Sequence, residues 1–174
     1  MKNKGFSLIE LLVAATIFSF VVVGVSGLFA QALDLQRRAV GLQKIEENSQ
    51  YVIESIAREV RVSRVTSGDT DCSSPGPGSA ELTIEHPVNG VVTYSYDRSS
   101  GVGAILRNGQ PITTSDVDFK SFAFCVSGSG PDNQQTRVTI PMTVEATSGR
   151  AAERVSISLQ TTIASHDLTT DLAK

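Results

Sequence analysis

The stretch KGFSLIELLVAATIFSFVVVG, Lys4–Gly24, decides how the chain is organised. It is a long apolar run with one carboxylate, Glu10, near its start. From Leu11 to Leu33 no formally charged side chain interrupts it. Wound as a helix at ~1.5 Å per residue, that segment reaches ~35 Å, enough to cross a bilayer core of ~30 Å. Lys2 and Lys4 precede it. Basic residues stay on the cytoplasmic side, so the N-terminus is expected in the cytoplasm and everything after about Leu33 outside. An ordinary secretory signal has an apolar core of only ~7–15 residues before a small-x-small cleavage site. Gly24-Val25-Ser26 and Ala30-Gln31-Ala32 satisfy that rule, but the core here is longer and runs without a turn into a helical pattern. Retention of the segment is therefore expected.

Glu10 is the anomaly. An acid in a membrane span costs up to ~2.5–3.5 kcal/mol at the centre and less toward an end. No Lys, Arg or His occurs from Ser7 to Gln36. Its partner is then another chain, a chain terminus, or water at the interface. The plain alternative is a carboxylate solvated at headgroup level.

Lys4–Val13, KGFSLIELLV, resembles the class III signal of type IV pilins and type II secretion pseudopilins. The resemblance implies that prepilin peptidase cuts after Gly5 on the cytoplasmic side and that the new N-terminus, Phe6, is N-methylated. Lys2 and Lys4 then belong to the removed leader, and the apolar helix stays. It further implies that the α-amino group of Phe6 and Glu10 pair between neighbouring subunits of a filament. A charge pair in a low-dielectric bundle resists separation more than one in water, so it can set the register of one helix on the next. The implied partners are the peptidase, other pilins or pseudopilins and an inner-membrane assembly platform. The implied location is the inner membrane, single-pass with the head outside, and then an extracytoplasmic filament. Where many major pilins carry a proline, this chain has Gly27. Glu10 counts against the most distal pseudopilin type, which lacks that acid. More weakly, TYSYDRSSGVGAILRNGQ (Thr93–Gln110) and the Val117-Asp118-Phe119 strand start resemble the head of the J-type minor pseudopilins.

The remaining pattern predicts an α+β fold: a long N-terminal helix, half membrane-spanning and half amphipathic, packed on an antiparallel β-sheet head. Residues 1–5 form the leader, 6–33 the membrane or filament-core helix, and 34–65 the amphipathic helix. In the last of these, Leu42, Ile45, Val52, Ile53, Ile56 and Val60 make a helical stripe. Residues 66–80, rich in proline and glycine, read as a loop. Residues 81–164 switch to a period of two, and 165–174 read as a frayed tail. Expected strands are Glu81–His86, Val91–Tyr96, Ala104–Arg107, Val117–Val126, Arg137–Val144 and Arg154–Ile163. Asn89-Gly90 and Asn108-Gly109 signal hairpin turns. Phe119 is out of phase with Phe122 and Phe124, which predicts a bulge or a late strand start. Pro141 demotes its strand to an edge or a bulged position.

Charge narrows the function. The chain carries a net −3, but Thr66–Lys174 has twelve acids and seven bases, a net of −5. A nucleic-acid reader needs a basic surface, so a DNA-uptake pilin is the lesser alternative. A membrane-anchored sensor or binding domain that never polymerises is the other. Cys72 and Cys125, the only cysteines, fit neither a CxxC nor a zinc pattern. Both fall in the part expected outside the cytoplasm, where disulfides persist, which favours a Cys72–Cys125 bridge over two separate buried thiols. His86 and His166 have no acids or cysteines at ligand spacing, and no GxSxG elbow is present. No catalytic residue, metal or cofactor is expected. Ser127–Gln135, with Asp132 and Asn133, reads as a solvated loop rather than a calcium site, because calcium wants six to eight oxygens.

Overall fold

The computed structural model describes residues 7–70, 80–129, 135–147 and 154–166. Helix α1 spans Leu8–Val62. Nine strands follow it among the described residues. They are β1 (Arg64–Val65), β2 (Glu81–His86), β3 (Gly90–Asp97), β4 (Ala104–Arg107), β5 (Gln110–Pro111), β6 (Val117–Phe122), β7 (Cys125–Ser127), β8 (Arg137–Ala146) and β9 (Ser156–Ala164). The expected α+β class holds: one long helix and antiparallel sheets packed on it. The chain divides into two compact units at Ala39–Val40.

In the second unit, α1 buries Gly41, Ile45, Ser49, Val52, Ile56 and Val60, spaced by three or four residues on one face. The stripe read from sequence named Leu42 instead of Gly41 and omitted Ser49, because it counted apolar residues only. Leu42 is exposed. Gly41 and Ser49 are buried because they are small: a Cβ on Gly41 would lie 3.4 Å from the Ala146 methyl. Each fully buried Ile or Val contributes ~1.5–3 kcal/mol over leaving it in water.

The first sheet is a meander ordered β1-β2-β3-β4-β5. Its buried row is Val65, Leu82, Ile84, Val92, Tyr94 and Ile105. The β4–β5 turn, Asn108-Gly109, has φ of 49° and 77°, the left-handed pair that a two-residue hairpin of type I′ requires. The helix was expected to run to about Val65, but it stops at Val62, and Arg64–Val65 pair with Ile84–Glu85 as β1. Tertiary pairing overrides the helical pattern there. The tail was expected to fray from residue 165. Residues 167–174 lie outside the described residues; at the start of the segment Ser165 is buried, its hydroxyl donates to Ser63 O at 2.6 Å, and His166 N–H donates to Arg61 O at 3.1 Å. These bonds satisfy carbonyls that the helix end leaves open.

In the second sheet β8 is central. β6 and β7 lie in line along one side and β9 along the other. The expected bulge is present: the register shifts between Phe119 and Ser121, leaving Lys120 as the extra residue. Pro141 was expected at an edge or a bulge, yet it sits mid-strand in β8. Ala123 N–H donates to Pro141 O at 3.2 Å, so Pro141 turns its backbone groups toward β6 and β7. That is where the neighbouring strand is interrupted, between Phe122 and Cys125. The missing N–H thus faces a gap in the ladder.

The sheets meet at Gly103, in the β3–β4 loop. Its carbonyl accepts the Phe119 N–H at 3.1 Å. A Cβ there would stand 2.0 Å from Phe119 O, a backbone atom that cannot swing away. Gly103→Ala is expected to destabilise the head by about 3 kcal/mol, the upper range for overpacking. Urea unfolding of the variant, read by its midpoint at unchanged slope, checks this; a midpoint equal to that of the parent would refute the close approach.

Candidate functional site

Ser7 precedes the first helical residue, and Glu10 sits three places later. Ser7 N–H donates to Glu10 Oε2 at 3.1 Å, and Leu11 N–H closes the first turn onto Ser7 O at 3.2 Å. This is the carboxylate half of a capping box: the acid at the third helical position satisfies a backbone donor that the helix leaves open. The signal is legible as Ser7-x-x-Glu10, but weighing Glu10 as a membrane charge, paired with another chain or solvated at headgroup level, does not use it. Glu10 therefore has a partner in its own backbone. Lys2, Lys4, Gly5 and Phe6 lie outside the described residues.

From Leu8 to Leu35 the helix is exposed throughout, with Leu8 at 83% and Phe20 at 75%. Its polar side chains turn inward on the helix itself. Thr16 donates to Leu12 O, Ser19 to Ala15 O and Ser26 to Val22 O, each at 2.8 Å. A hydroxyl bonded to the carbonyl four residues back needs no water, the condition for lying in lipid. A Cβ at Gly24 or Gly27 would meet nothing within 4 Å, and the helix passes through both without a break. The charged residues resume at Asp34 and Arg37, 3.7 Å apart. One helix is thus long and apolar enough to cross a membrane.

In the second unit, polar clamps fix the helix to the sheets. Arg107 forks onto Glu59 with Nη2 at 2.8 Å and Nε at 3.2 Å from Oε1, while the Tyr94 hydroxyl donates to Glu59 Oε2 at 2.7 Å. Burial works to raise the Glu59 pKa, but the hydrogen bonds from Arg107 and Tyr94 and the Arg107 charge outweigh it and hold the carboxyl below its usual range. Burial first, and then the Glu59 carboxylate, push the Tyr94 hydroxyl up to about 12. Higher on the helix, Asn48 Oδ1 accepts the Thr114 N–H and hydroxyl, both at 3.1 Å, and Lys44 pairs with Asp116 at 3.3 Å.

Asp118 is the second clamped carboxylate, and unlike the half-buried Glu59 it is buried. Oδ1 accepts the Gly103 N–H at 2.8 Å, and Oδ2 takes Lys120 Nζ at 2.6 Å and Arg98 Nη2 at 3.2 Å. Burial again works to raise its pKa, and the Lys120 and Gly103 hydrogen bonds and both cations bring it down. Sequence reading gave neither Glu59 nor Asp118 a role of its own. Their types are ordinary, and their partners lie 48 and 20 residues away in Arg107 and Arg98. Each acid is held by three donor groups: Arg107 Nη2, Arg107 Nε and the Tyr94 hydroxyl on Glu59, and Gly103 N–H, Lys120 Nζ and Arg98 Nη2 on Asp118. Among the described residues no group of three or more His, Cys, Asp or Glu side chains is placed to hold a metal. His86 instead closes the β2–β3 turn, its Nδ1 accepting the Val88 and Asn89 N–H groups at 3.1 Å. Cys125 is buried at the start of β7; Cys72 and the calcium-loop residues Asp132 and Asn133 lie outside the described residues.

The organisation is that of a membrane-anchored protein with an apolar N-terminal helix and a β-rich head. Residues 1–26 match the family model for the prokaryotic N-terminal methylation motif. No curated protein and no solved structure matches the chain. The match supports a type IV pilin-like class III signal at the start of this helix.

Both clamped acids have lowered folded-state pKa values. Their contribution is present above the ordinary carboxylate range, ~3.9 for Asp and ~4.3 for Glu, and is lost as pH falls through the folded values. Thermal unfolding followed from pH 6 to pH 2.5 is expected to show the midpoint falling steeply below about pH 4. Glu59→Gln and Asp118→Asn are each expected to lower the midpoint at pH 6 and to flatten that fall. A variant with the parent's full acid sensitivity would show that its carboxylate is not held.

Proposed function

We propose that the chain is a non-catalytic structural subunit, a minor pilin or J-type minor pseudopilin, of a type IV pilus-like or type II secretion filament. The observation that carries this reading is the methylation motif at residues 1–26 abutting an uncovered, internally satisfied apolar helix. Prepilin peptidase removes residues 1–5, Phe6 is methylated, and the helix passes from the inner membrane into a filament of other pilins or pseudopilins on an assembly platform. Glu10 holds the Ser7 N–H with one oxygen. A carboxylate has about four lone-pair sites, which leaves acceptor capacity for the α-amino group of a neighbouring Phe6.

The head carries a Cys72–Cys125 disulfide. Thr70 supports this: its N–H donates to Val126 O at 2.9 Å, and its hydroxyl donates to Phe124 O at 3.3 Å. The chain is thus fastened on both sides of Cys125, two residues before Cys72. Two residues reach at most ~7 Å, and a disulfide spans a Cα separation of ~4.4–6.8 Å.

Intact mass of the protein from cells with and without prepilin peptidase tests the reading. The expected species is Phe6–Lys174 with one added methyl group, which gains two hydrogens on reduction. A chain that keeps Met1 in the presence of active peptidase would overturn the filament assignment. Unchanged mass on reduction would remove the disulfide alone.

Glu10 has two separable roles, and two substitutions separate them. Gln also completes a capping box, so Glu10→Gln keeps the Ser7 bond and loses the charge, while Glu10→Ala loses both. Both variants are expected to insert normally in membranes and to enter sheared filaments at least roughly tenfold less than the parent, the factor of one lost ~1.4 kcal/mol interaction. Normal incorporation of Glu10→Gln would show that the cap, and not the charge pair, is what assembly needs.

A further inference from the structure

β9 has one open edge, and its position is settled by the hydrogen-bond parity of β8. Ala123 N–H donates to Pro141 O, Ala146 N–H donates to Val155 O, and Ser165 N–H donates to Thr136 O. Odd-numbered residues of β8 therefore face β6 and β7, and even-numbered ones face the odd-numbered residues of β9. By the alternation of an antiparallel ladder, Ser156, Ser158, Gln160, Thr162 and Ala164 point their backbone groups away from the sheet. Among the described residues nothing pairs with that edge.

Every other edge among the described strands is guarded. β1 and β5 are two residues each, and β5 ends in Pro111. β6 carries Asp118 and Lys120, is bulged at Lys120, and is covered at Phe119 by Gly103 O, Tyr96 and Arg98. β7 is covered by Thr70, whose Oγ1 accepts the Val126 N–H at 2.9 Å. β9 has nine residues, SISLQTTIA, with no charge, no proline and no bulge. Natural sheets blunt exposed edges with those devices. Their absence on this strand alone marks it as a pairing surface.

The strand is also complementary to itself. Laid antiparallel on a second copy about Gln160, it sets Ile157 against Ile163, Ser158 against Thr162, and Gln160 against Gln160. Only residues with outward backbone groups then meet in hydrogen-bonded positions. The hydroxyl pairing already exists one strand inward, as Thr139–Thr162 at 2.9 Å and Thr143–Ser158 at 3.1 Å. Each hydroxyl both donates and accepts, so those rows extend across the new boundary. Within Ser156–Ala164 no charges meet.

We propose that β9 pairs with β9 of a second copy of this chain, antiparallel and centred on Gln160, joining the β8–β9 sheets of two heads into one. The inference is independent of processing at Gly5. Full-length Gln160→Cys in native membranes tests it. Gln160 is exposed, so the substitution leaves the fold intact, and an unchanged thermal midpoint confirms that. Under mild oxidation it is expected to give a homodimer of twice the chain mass. Ser156→Cys is expected to give none, because its two copies would lie ~27 Å apart at ~3.4 Å per residue. The double variant Ser156→Cys/Ala164→Cys reads the same register from the strand ends and is expected to cross-link as well. Adding Gln160→Lys to it sets like charges face to face and is expected to cut the yield several-fold. Absence of dimer from Gln160→Cys and from the double variant, equal cross-linking of Ser156→Cys, or an adduct containing a different protein would each overturn self-pairing.

Discussion

The Asp118 carboxylate is the point on which the head depends. It is buried, and it is the first sheet's loop that supplies its ligands: the Gly103 N–H and the Arg98 guanidinium, joined by Lys120 from its own strand. A buried carboxylate without partners costs several kcal/mol, so this one holds β6 against the β3–β4 loop as strictly as a packing contact would. Gly103 then passes close enough to exchange a backbone bond with Phe119. Phe119, Phe122 and Phe124 stack edge to face behind it, with centroids 6.1 and 5.0 Å apart. The two sheets share one apolar core because this loop pins them together.

β8 organises the second sheet through a residue that is normally excluded from sheet centres. Pro141 offers no N–H, and the interruption of the adjacent strand at Ala123–Phe124 removes the need for one. The same interruption brings Cys125 and Val126 back into the ladder next to Thr70. A local defect on one strand and a local defect on its neighbour cancel, and the head gains a ten-residue central strand from them.

The apolar half of α1 follows a different rule. Nothing within the described chain covers it, and the hydroxyls of Thr16, Ser19 and Ser26 are satisfied within the helix. Ser, Thr and Glu are tolerated because each turns back to its own backbone. The capping bond fixes Glu10 at the helix start, so its carboxylate is oriented by its own backbone.

The sequence alone determined the anchor and the class of fold. An uncharged run of that length and a switch from helical to alternating period are one-dimensional patterns, and hydrophobic burial enforces them whatever the detail. The Asn108-Gly109 hairpin and the Lys120 bulge were legible for the same reason: φ sterics and side-chain phase are local. Tertiary structure decided what depends on distant partners. It chose Gly41 over Leu42 for the buried face, because the Ala146 methyl lies against that position. It ended α1 at Val62, because Ile84 and Glu85 offered Arg64–Val65 a ladder. It placed Pro141 centrally, because the strand opposite was broken. It made Glu59 and Asp118 the fixed charges of the head, because their arginines arrive from strands and loops that no spacing in the sequence brings near.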